Sequence, residues 1–247
     1  MALSWSGRRK ALYTSVVSII ALMLLIFIYQ SLFTAPPLCT DRKQNGGELG
    51  VDCGGPCSLL CTGAARAPVV IWARAFETAP QIYTAAAYVQ NNNLGSVARQ
   101  VGYSFQLFDA ENKLVVARDG VADLSPVPTV PIIETGINAG HRTVARTIFS
   151  FSTEPVWLKA GGLPALSASK QSLSPDGSRL SATIRNDSLV QARATIAAVL
   201  FDAEGVARAA SKSTVTIPAR GETPVVLTWG LVPQEPIVRA EITILPL

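Results

Sequence analysis

Thirty consecutive residues, Ala11 to Thr40, carry no charge, and the part from Leu12 to Phe33 is 22 residues long. As an α-helix rising ~1.5 Å per residue, that part spans about 33 Å, enough to cross the hydrocarbon of a bilayer. No other feature restricts the chain so strongly, because a helix with no polar face must be buried in protein or in lipid. Arg8, Arg9 and Lys10 precede the segment, Tyr13 and Tyr29 sit near its ends, and Trp5 and Phe33 flank them. Basic residues remain on the cytoplasmic side and aromatic rings favour the interface. The sequence therefore predicts an uncleaved single-pass anchor in the cell membrane: residues 1–11 form a cytoplasmic basic tip, 12–33 the span, and the C-terminal body lies outside the cytoplasm. A cleavable signal peptide would have an apolar region of only ~7 to 15 residues. The best small residue for cleavage, Ala35, has Phe33 two before it and Pro36 after it, and Pro36-Pro37-Leu38 gives a lipoprotein peptidase no small residue ahead of Cys39.

The net charge of +4 suggests a polyanion partner until it is divided along the chain. The N-terminal cluster supplies +3, residues 36–67 balance three basic against three acidic residues, and everything from Pro68 onward nets +1. A nearly neutral body has no electrostatic footprint for nucleic acid. With 49% hydrophobic and 15% charged residues the chain has material for a core, while a single histidine, His141, leaves little for a histidine-based metal or catalytic centre.

All four cysteines, Cys39, Cys53, Cys57 and Cys61, follow the span closely. Their even number and the oxidising side of the membrane predict two disulfides within a stapled segment at 36–64, in one of three connectivities. Gaps of 13, 3 and 3 residues do not form the paired short knuckles of a structural zinc site. Five glycines between Cys39 and Cys61 leave almost no core, so covalent staples worth ~2 to 4 kcal/mol each take its place. Asp41, Asn45, Glu48 and Asp52 offer oxygen atoms at spacings of 4, 3 and 4, a pattern open to a hard cation such as calcium or to turns in which side chains accept from nearby backbone amides. Asn45-Gly46, Glu48 and Val51-Asp52-Cys53-Gly54-Gly55-Pro56-Cys57 resemble a short Cys-rich segment of bacterial surface and secreted proteins. The chain departs from it at Asp41-Arg42, where Asp-Gly is usual, and at Ser58-Leu59-Leu60, one residue longer than usual.

From Pro68 onward, short apolar runs are separated by Gly, Pro, Asn and Asp, which reads as all-β. Val238, Ala240, Ile242 and Ile244 alternate with Arg239, Glu241 and Thr243, predicting a strand with one wet face. Phe108-Asp109-Ala110-Glu111 recurs as Phe201-Asp202-Ala203-Glu204, 93 residues later. The same offset puts Asn93 on Asn186, Tyr103 on Ile196, Phe105 on Ala198, Leu107 on Leu200 and Asn112 on Gly205. Asn and Gly are the residues that best tolerate the left-handed conformation closing a short hairpin. The sequence thus predicts two tandem β-sandwiches, at 68–157 and 165–247, hinged near Gly161-Gly162, with Leu107 and Leu200 buried.

Phe105-Gln106-Leu107-Phe108-Asp109 resembles the motif of the FxLYD family of small extracytoplasmic β-sandwich domains, with Phe108 in place of tyrosine. Asn93-Leu94-Gly95 and Pro218-Ala219-Arg220-Gly221-Glu222 resemble that family's flanking elements, and the second copy, Ala198-Val199-Leu200-Phe201-Asp202, lacks the leading phenylalanine. The resemblance covers about two thirds of the outer body and implies an Ig-like fold and an envelope address rather than a reaction. Taken with the anchor and the Cys-rich segment, the chain resembles bacterial single-pass membrane proteins.

Catalytic patterns are weak. Ser167-Ala168-Ser169-Lys170 has the Ser-x-x-Lys spacing of penicillin-binding enzymes, but neither Lys-Thr-Gly nor Ser-Asp-Asn accompanies it. Asn186-Asp187-Ser188 is formally a glycosylation sequon, and Pro126, Pro128 and Pro131 read as an edge that cannot extend its sheet. The leading expectation is a non-enzymatic, membrane-anchored envelope protein whose sandwiches bind or scaffold a protein partner, with no cofactor unless calcium occupies the Cys-rich loop. Its competitors are a subunit of a membrane assembly, with Ser15 and Ser18 on the contacting face of the span, and an extracytoplasmic hydrolase.

Overall fold

The computed structural model of the chain describes the backbone over residues 5–33 and 38–247, and side chains over 7–30 and 38–247. Ala35, the Pro36-Pro37 pair and the side chains of Trp5 and Phe33 lie outside the described residues. The protein is one N-terminal helix followed by an all-β body, and it divides into two compact units, one ending at Cys57 and the other running from Ser58 to Leu247.

In the first unit, helix α1 (Trp5–Phe33) is 29 residues long. Its stretch Gly7–Gln30 is long and apolar enough to cross a membrane, and none of it is buried in protein. The hydroxyls near its start are satisfied within the helix: Thr14 donates to the carbonyls of Lys10 and Ala11, and Ser15 to that of Leu12. Residues 38–57 form turns with one isolated bridge between Gly50 and Cys53.

The second unit holds thirteen strands: β1 (Val69–Ala79), β2 (Ile82–Gln90), β3 (Ser96–Phe108), β4 (Leu114–Leu124), β5 (Thr129–Asn138), β6 (Arg146–Phe151), β7 (Trp157–Lys159), β8 (Leu166–Leu173), β9 (Arg179–Asn186), β10 (Ala192–Phe201), β11 (Ala207–Ile217), β12 (Glu222–Thr228) and β13 (Arg239–Pro246). They make four antiparallel sheets, ordered β1-β2-β5, β4-β3-β6 with β7 also on β3, β12-β9-β8, and β11-β10-β13. The first two enclose a core built on Phe105, Leu107, Leu124 and Trp157. The last two enclose another, on Leu180, Ile184, Ile196, Leu200 and Trp229. The same strand order thus occurs twice. Residues Ser58 to Ala67 belong with the first sandwich, since Leu60 and Lys159 bond the backbone across from Trp157 and Ser58, and Leu60 and Ala65 pack on its core.

A third buried cluster joins the sandwiches. Ala86, Tyr88 and Ile133 of one meet Ala197, Val199, Phe201, Ala207 and Ala210 of the other, with Trp72 and Phe76 beside them. Side chains alternate across a strand, so β2 sends Ala85, Ala87 and Val89 into its own core and Ala86 and Tyr88 into the shared layer. Strand β10 does the same with Ile196, Ala198 and Leu200 against Ala197, Val199 and Phe201. The body is therefore a stack of four sheets. Where a hinge near Gly161-Gly162 was expected, a common core joins the halves. Packing is close enough at one point that a Cβ on Gly230 would lie 1.9 Å from the Thr78 carbonyl oxygen. The face of β13 expected to be wet carries Glu241, which accepts the Tyr88 hydroxyl at 2.9 Å.

The 93-residue offset runs through the pairings of the central strands. Leu107 faces Val116 as Leu200 faces Ala209, Phe108 faces Leu114 and Arg146 as Phe201 faces Ala207 and Arg239, and both ladders slip between these two positions. One expected equivalence differs. Asn91, not Asn93, corresponds to Asn186: the backbone N–H of Asn91 bonds Pro128 as that of Asn186 bonds Gly221, and both amide side chains bridge carbonyls of neighbouring loops. The first copy is two residues longer here. One is the bulge between Ala98 and Val101, where Gln100 takes a φ of 53°, and the other lies in the loop before Ser96. Cores differ as well: Tyr103, Phe105, Phe149 and Phe151 form an edge-packed aromatic group whose counterparts are Ile196, Ala198, Ile242 and Ile244.

Candidate functional site

In the Cys-rich segment Cys39 is bonded to Cys57. Cys53 and Cys61 are also disulfide-bonded, and no cysteine is free. Of the calcium candidates, Asp41, Glu48 and Asp52 act as turn acceptors, while Asn45 donates. Asp52 receives the Arg42 amide on both oxygens at 3.1 and 3.0 Å. Asp41 accepts from the Lys43 amide and, at 2.8 Å, from the side-chain amide of Asn45, a bond that leads the causes holding its carboxyl below the usual range. Glu48, buried, accepts from the amides of Asn45 and Asp52. Among the described residues, Asn45 Oδ1 is a buried polar atom without a partner. Cys39, Glu48 and Cys57 lie together, but disulfide sulfurs offer no thiolate, so this group is not a metal site. Gly55 is required by crowding, because a Cβ there would be 2.1 Å from the Gly47 carbonyl oxygen.

The motif residues build a staple that occurs twice. Phe105 and Leu107 are buried, as is Leu200. Asp109 closes a hairpin turn by accepting the Lys113 amide at 2.8 Å, and Asp202 accepts the Val206 amide at 2.7 Å. Asn112 and Gly205 follow with φ of 60° and 75°. Each aspartate also carries an arginine, Arg142 on Asp109 and Arg208 on Asp202. Burial raises the pKa of both carboxyls, but the amides and guanidinium groups outweigh it, and both end below the usual carboxylate range. Arg146 lies over the Phe108 ring and Arg239 over Phe201, with 5.1 and 4.3 Å to the ring centres. These contacts are structural: they fix the hairpins by which the central strands β3 and β10 turn into the edge strands β4 and β11.

The remaining catalytic and modification candidates stand apart. Ser167 and Lys170 lie on strand β8, where Lys170 is 3.7 Å from Glu222, rather than opening a helix. His141 is exposed in the turn after β5. Asn186 is fully buried and donates to Val190, Ile217 and Pro218 carbonyls, so its amide nitrogen is committed to the fold.

Two clefts open beside the shared layer. One, of about 260 Å³, is lined by Tyr103, Pro131, Ile133, Ala197, Lys212 and Leu245 among others. Two of its polar groups are already paired, Tyr103 donating to Glu134 at 2.6 Å and Lys212 to the Ile133 carbonyl. Burial first, then Glu134, raises the Tyr103 pKa. The other is a groove of about 520 Å³ formed by the continuous run Trp72 to Phe76 on β1, Val144 to Thr147 leading into β6, and Ala207, Arg208 and Glu235. Sequence reading passed over this groove. The available signal was Trp72-Ala73-Arg74-Ala75-Phe76, an arginine placed between two aromatic residues on one strand face.

No protein-family model matches the chain, and no curated protein is significantly similar to it.

Proposed function

We propose that this chain is a non-enzymatic, membrane-anchored envelope protein of bacterial type, whose rigid pair of β-sandwiches presents a binding or scaffolding surface outside the cytoplasm. The observation that carries this reading is the pairing of opposites at the N-terminus. A helix exposed and apolar over Gly7–Gln30 follows a basic cluster, and a segment with every cysteine oxidised follows the helix. Positive charge favours the cytoplasmic side, and disulfides persist on the other.

The chemistry of the body supports a binding role over catalysis. Its buried carboxylates are spent on turns and arginines, its buried tyrosine hydroxyls on Glu134, Glu241 and, for Tyr83, the Val144 amide, and its histidine stands alone in a turn. Assembly through the span draws no support from Ser15, whose hydroxyl is bonded to its own helix. Protease added to spheroplasts is expected to remove the body and spare a fragment of about 33 residues, the length of the tip and span. A fully protected body would overturn the topology, and a secreted body of mature size lacking the helix would overturn the anchor.

A further inference from the structure

We infer that Glu48 is a kinetic lock on the Cys39–Cys57 disulfide: its carboxylate stands against the sulfur that must leave as a thiolate when a thiol attacks the bridge. The inference concerns the covalent chemistry of the Cys-rich segment and is independent of what the body binds. The two ends of the bridge are unequal. Cys39 is exposed, whereas Cys57 is 1% exposed. Thiol–disulfide exchange proceeds by attack of a thiolate on one sulfur and departure of the other, so a thiol arriving from solvent has Cys39 to attack and not Cys57. The incoming sulfur, its proton already lost to solvent, bonds to Cys39 Sγ. The Cys39–Cys57 bond breaks, and its electron pair leaves on Cys57 Sγ as a thiolate.

Glu48 governs that departure. It is 8% exposed, and its Oε1 lies 3.1 Å from Cys57 Sγ. An oxidised cysteine has no S–H to donate, so this contact is no hydrogen bond while the bridge is closed. The carboxylate is held in place from its other oxygen, Oε2, by the amides of Asn45 at 3.4 Å and Asp52 at 3.2 Å. None of the ion pairs among the described residues includes Glu48. Negative charge growing on Cys57 as the bond breaks therefore meets a like charge in contact, in a place that water screens poorly. A thiol that resists its thiolate form is a slow leaving group. Closure passes through the same transition state with Cys57 as the attacking sulfur, so Glu48 slows both directions. Once Cys57 has taken up a proton, its S–H finds an acceptor in Oε1, and the carboxylate does not oppose the reduced state. The half-exposed bridge is thus kept closed by rate rather than by equilibrium.

The test uses the full chain in phosphatidylcholine nanodiscs, with 2-mercaptoethanol and its disulfide as a couple uncharged apart from the attacking thiolate. Samples are acid-quenched, alkylated in denaturant and read by peptide mass spectrometry, which follows Cys39 and Cys57 apart from Cys53 and Cys61. Glu48→Gln keeps an oxygen for the two amides. Its Cys39 and Cys57 are expected to be reduced at least about tenfold faster than the parent's, while the composition of the couple at which half of the bridge is open moves by less than about threefold. Asp52→Asn removes a neighbouring charge and leaves Glu48 in place, and it is expected to change the rate by less than about threefold. An unchanged rate in Glu48→Gln overturns the inference, and so does a slower one, which would make Glu48 a proton carrier that assists exchange. A shift of the half-open composition as large as the change in rate also overturns it, because that is the signature of a loop merely loosened by the substitution. Equal acceleration by Asp52→Asn overturns the assignment to Glu48.

Discussion

Leu200 and Phe201 are neighbours on β10, yet they belong to different cores, Leu200 to that of its own sandwich and Phe201 to the layer shared with the other. Truncating Phe201 therefore tests whether the body is one cooperative unit. Its ring is buried, packs edge-on against Trp72 and Tyr88 with centroids 6.4 and 6.0 Å apart, and lies under Arg239. A buried Phe covers ~200 Å², worth about 5 kcal/mol at ~25 cal/mol per Å², and measured Phe→Ala losses of ~3 to 5 kcal/mol bracket the expected cost at about 4 kcal/mol. The assay is urea unfolding of the full chain in detergent with 5-fluorotryptophan incorporated, read by ¹⁹F NMR, because Trp157 reports the first core and Trp229 the second. In the parent, both resonances are expected to disappear at one midpoint. In Phe201→Ala, both midpoints fall and separate, since the layer that couples the sandwiches is weakened. Leu200→Ala, costing a similar ~2 to 5 kcal/mol, lowers the midpoint without exposing a second transition of comparable width. A Phe201→Ala cost below about 1 kcal/mol, or a parent in which the two resonances already melt apart, would refute the shared core.

Three further outcomes are expected. Asn186→Ala leaves the carbonyls of Val190, Ile217 and Pro218 without their donor, so denaturant unfolding should show a loss of about 3 kcal/mol or more. Asn91→Ala should behave alike, whereas Asn92→Ala, at a half-buried position with one bond to the Ala67 carbonyl, should cost less. Gly230→Ala should cost about 1 to 3 kcal/mol through the clash with Thr78; a neutral result by calorimetry would argue against the close approach of the sandwiches. The body should keep its neutral-pH stability down to about pH 4 and lose it below, because Asp109 and Asp202 have folded pKa values beneath the ordinary ~3.9 of an aspartate, so their contribution vanishes as pH falls through the folded values. Asp176, held at about 2 by Ser174 and Ser178, extends that limb. Asp202→Asn should flatten the acid slope of the urea midpoint, and an unaltered slope would remove this aspartate from the account.

The helix and the all-β body were legible because each leaves a local periodic trace: an apolar run without a polar face, and short runs punctuated by turn residues. The hairpin closed by Asn112 and Gly205 was legible for a similar reason, since a positive φ selects few residue types. Asn91 was obscured by chance. Asn93 falls at the 93-residue offset, but a bulge and a longer loop displace the true counterpart by two positions, and sequence spacing does not reveal where an inserted residue is accommodated. The polar alternation of β13 misled in another way. Glu241 and Thr243 do mark a polar face, but that face meets Tyr88 of the other sandwich instead of water. Alternation reports polarity and cannot distinguish solvent from a satisfied interface.

The stacking of the sandwiches left a signal of its own that periodicity arguments discount. Antiparallel strands with one wet face alternate, whereas strands covered on both faces read as continuous apolar runs. Tyr83 to Val89 is such a run, broken only by Thr84, and so is Ile196 to Phe201, and these belong to β2 and β10, the central strands of the two inner sheets. Alanine supplies Ala85, Ala86 and Ala87 in the first and Ala197 and Ala198 in the second. Small residues on both faces permit sheets to approach, and the volume is then made up at one place by Trp72, Tyr88 and Phe201. The consequence reaches the groove. Trp72, Arg74 and Phe76 share the face of β1 turned toward that layer, so the packing that fixes the sandwiches also fixes two aromatic residues on either side of Arg74. A hinge between the sandwiches would let that strip deform; the shared core holds Arg74 and the edge of β1 in one geometry.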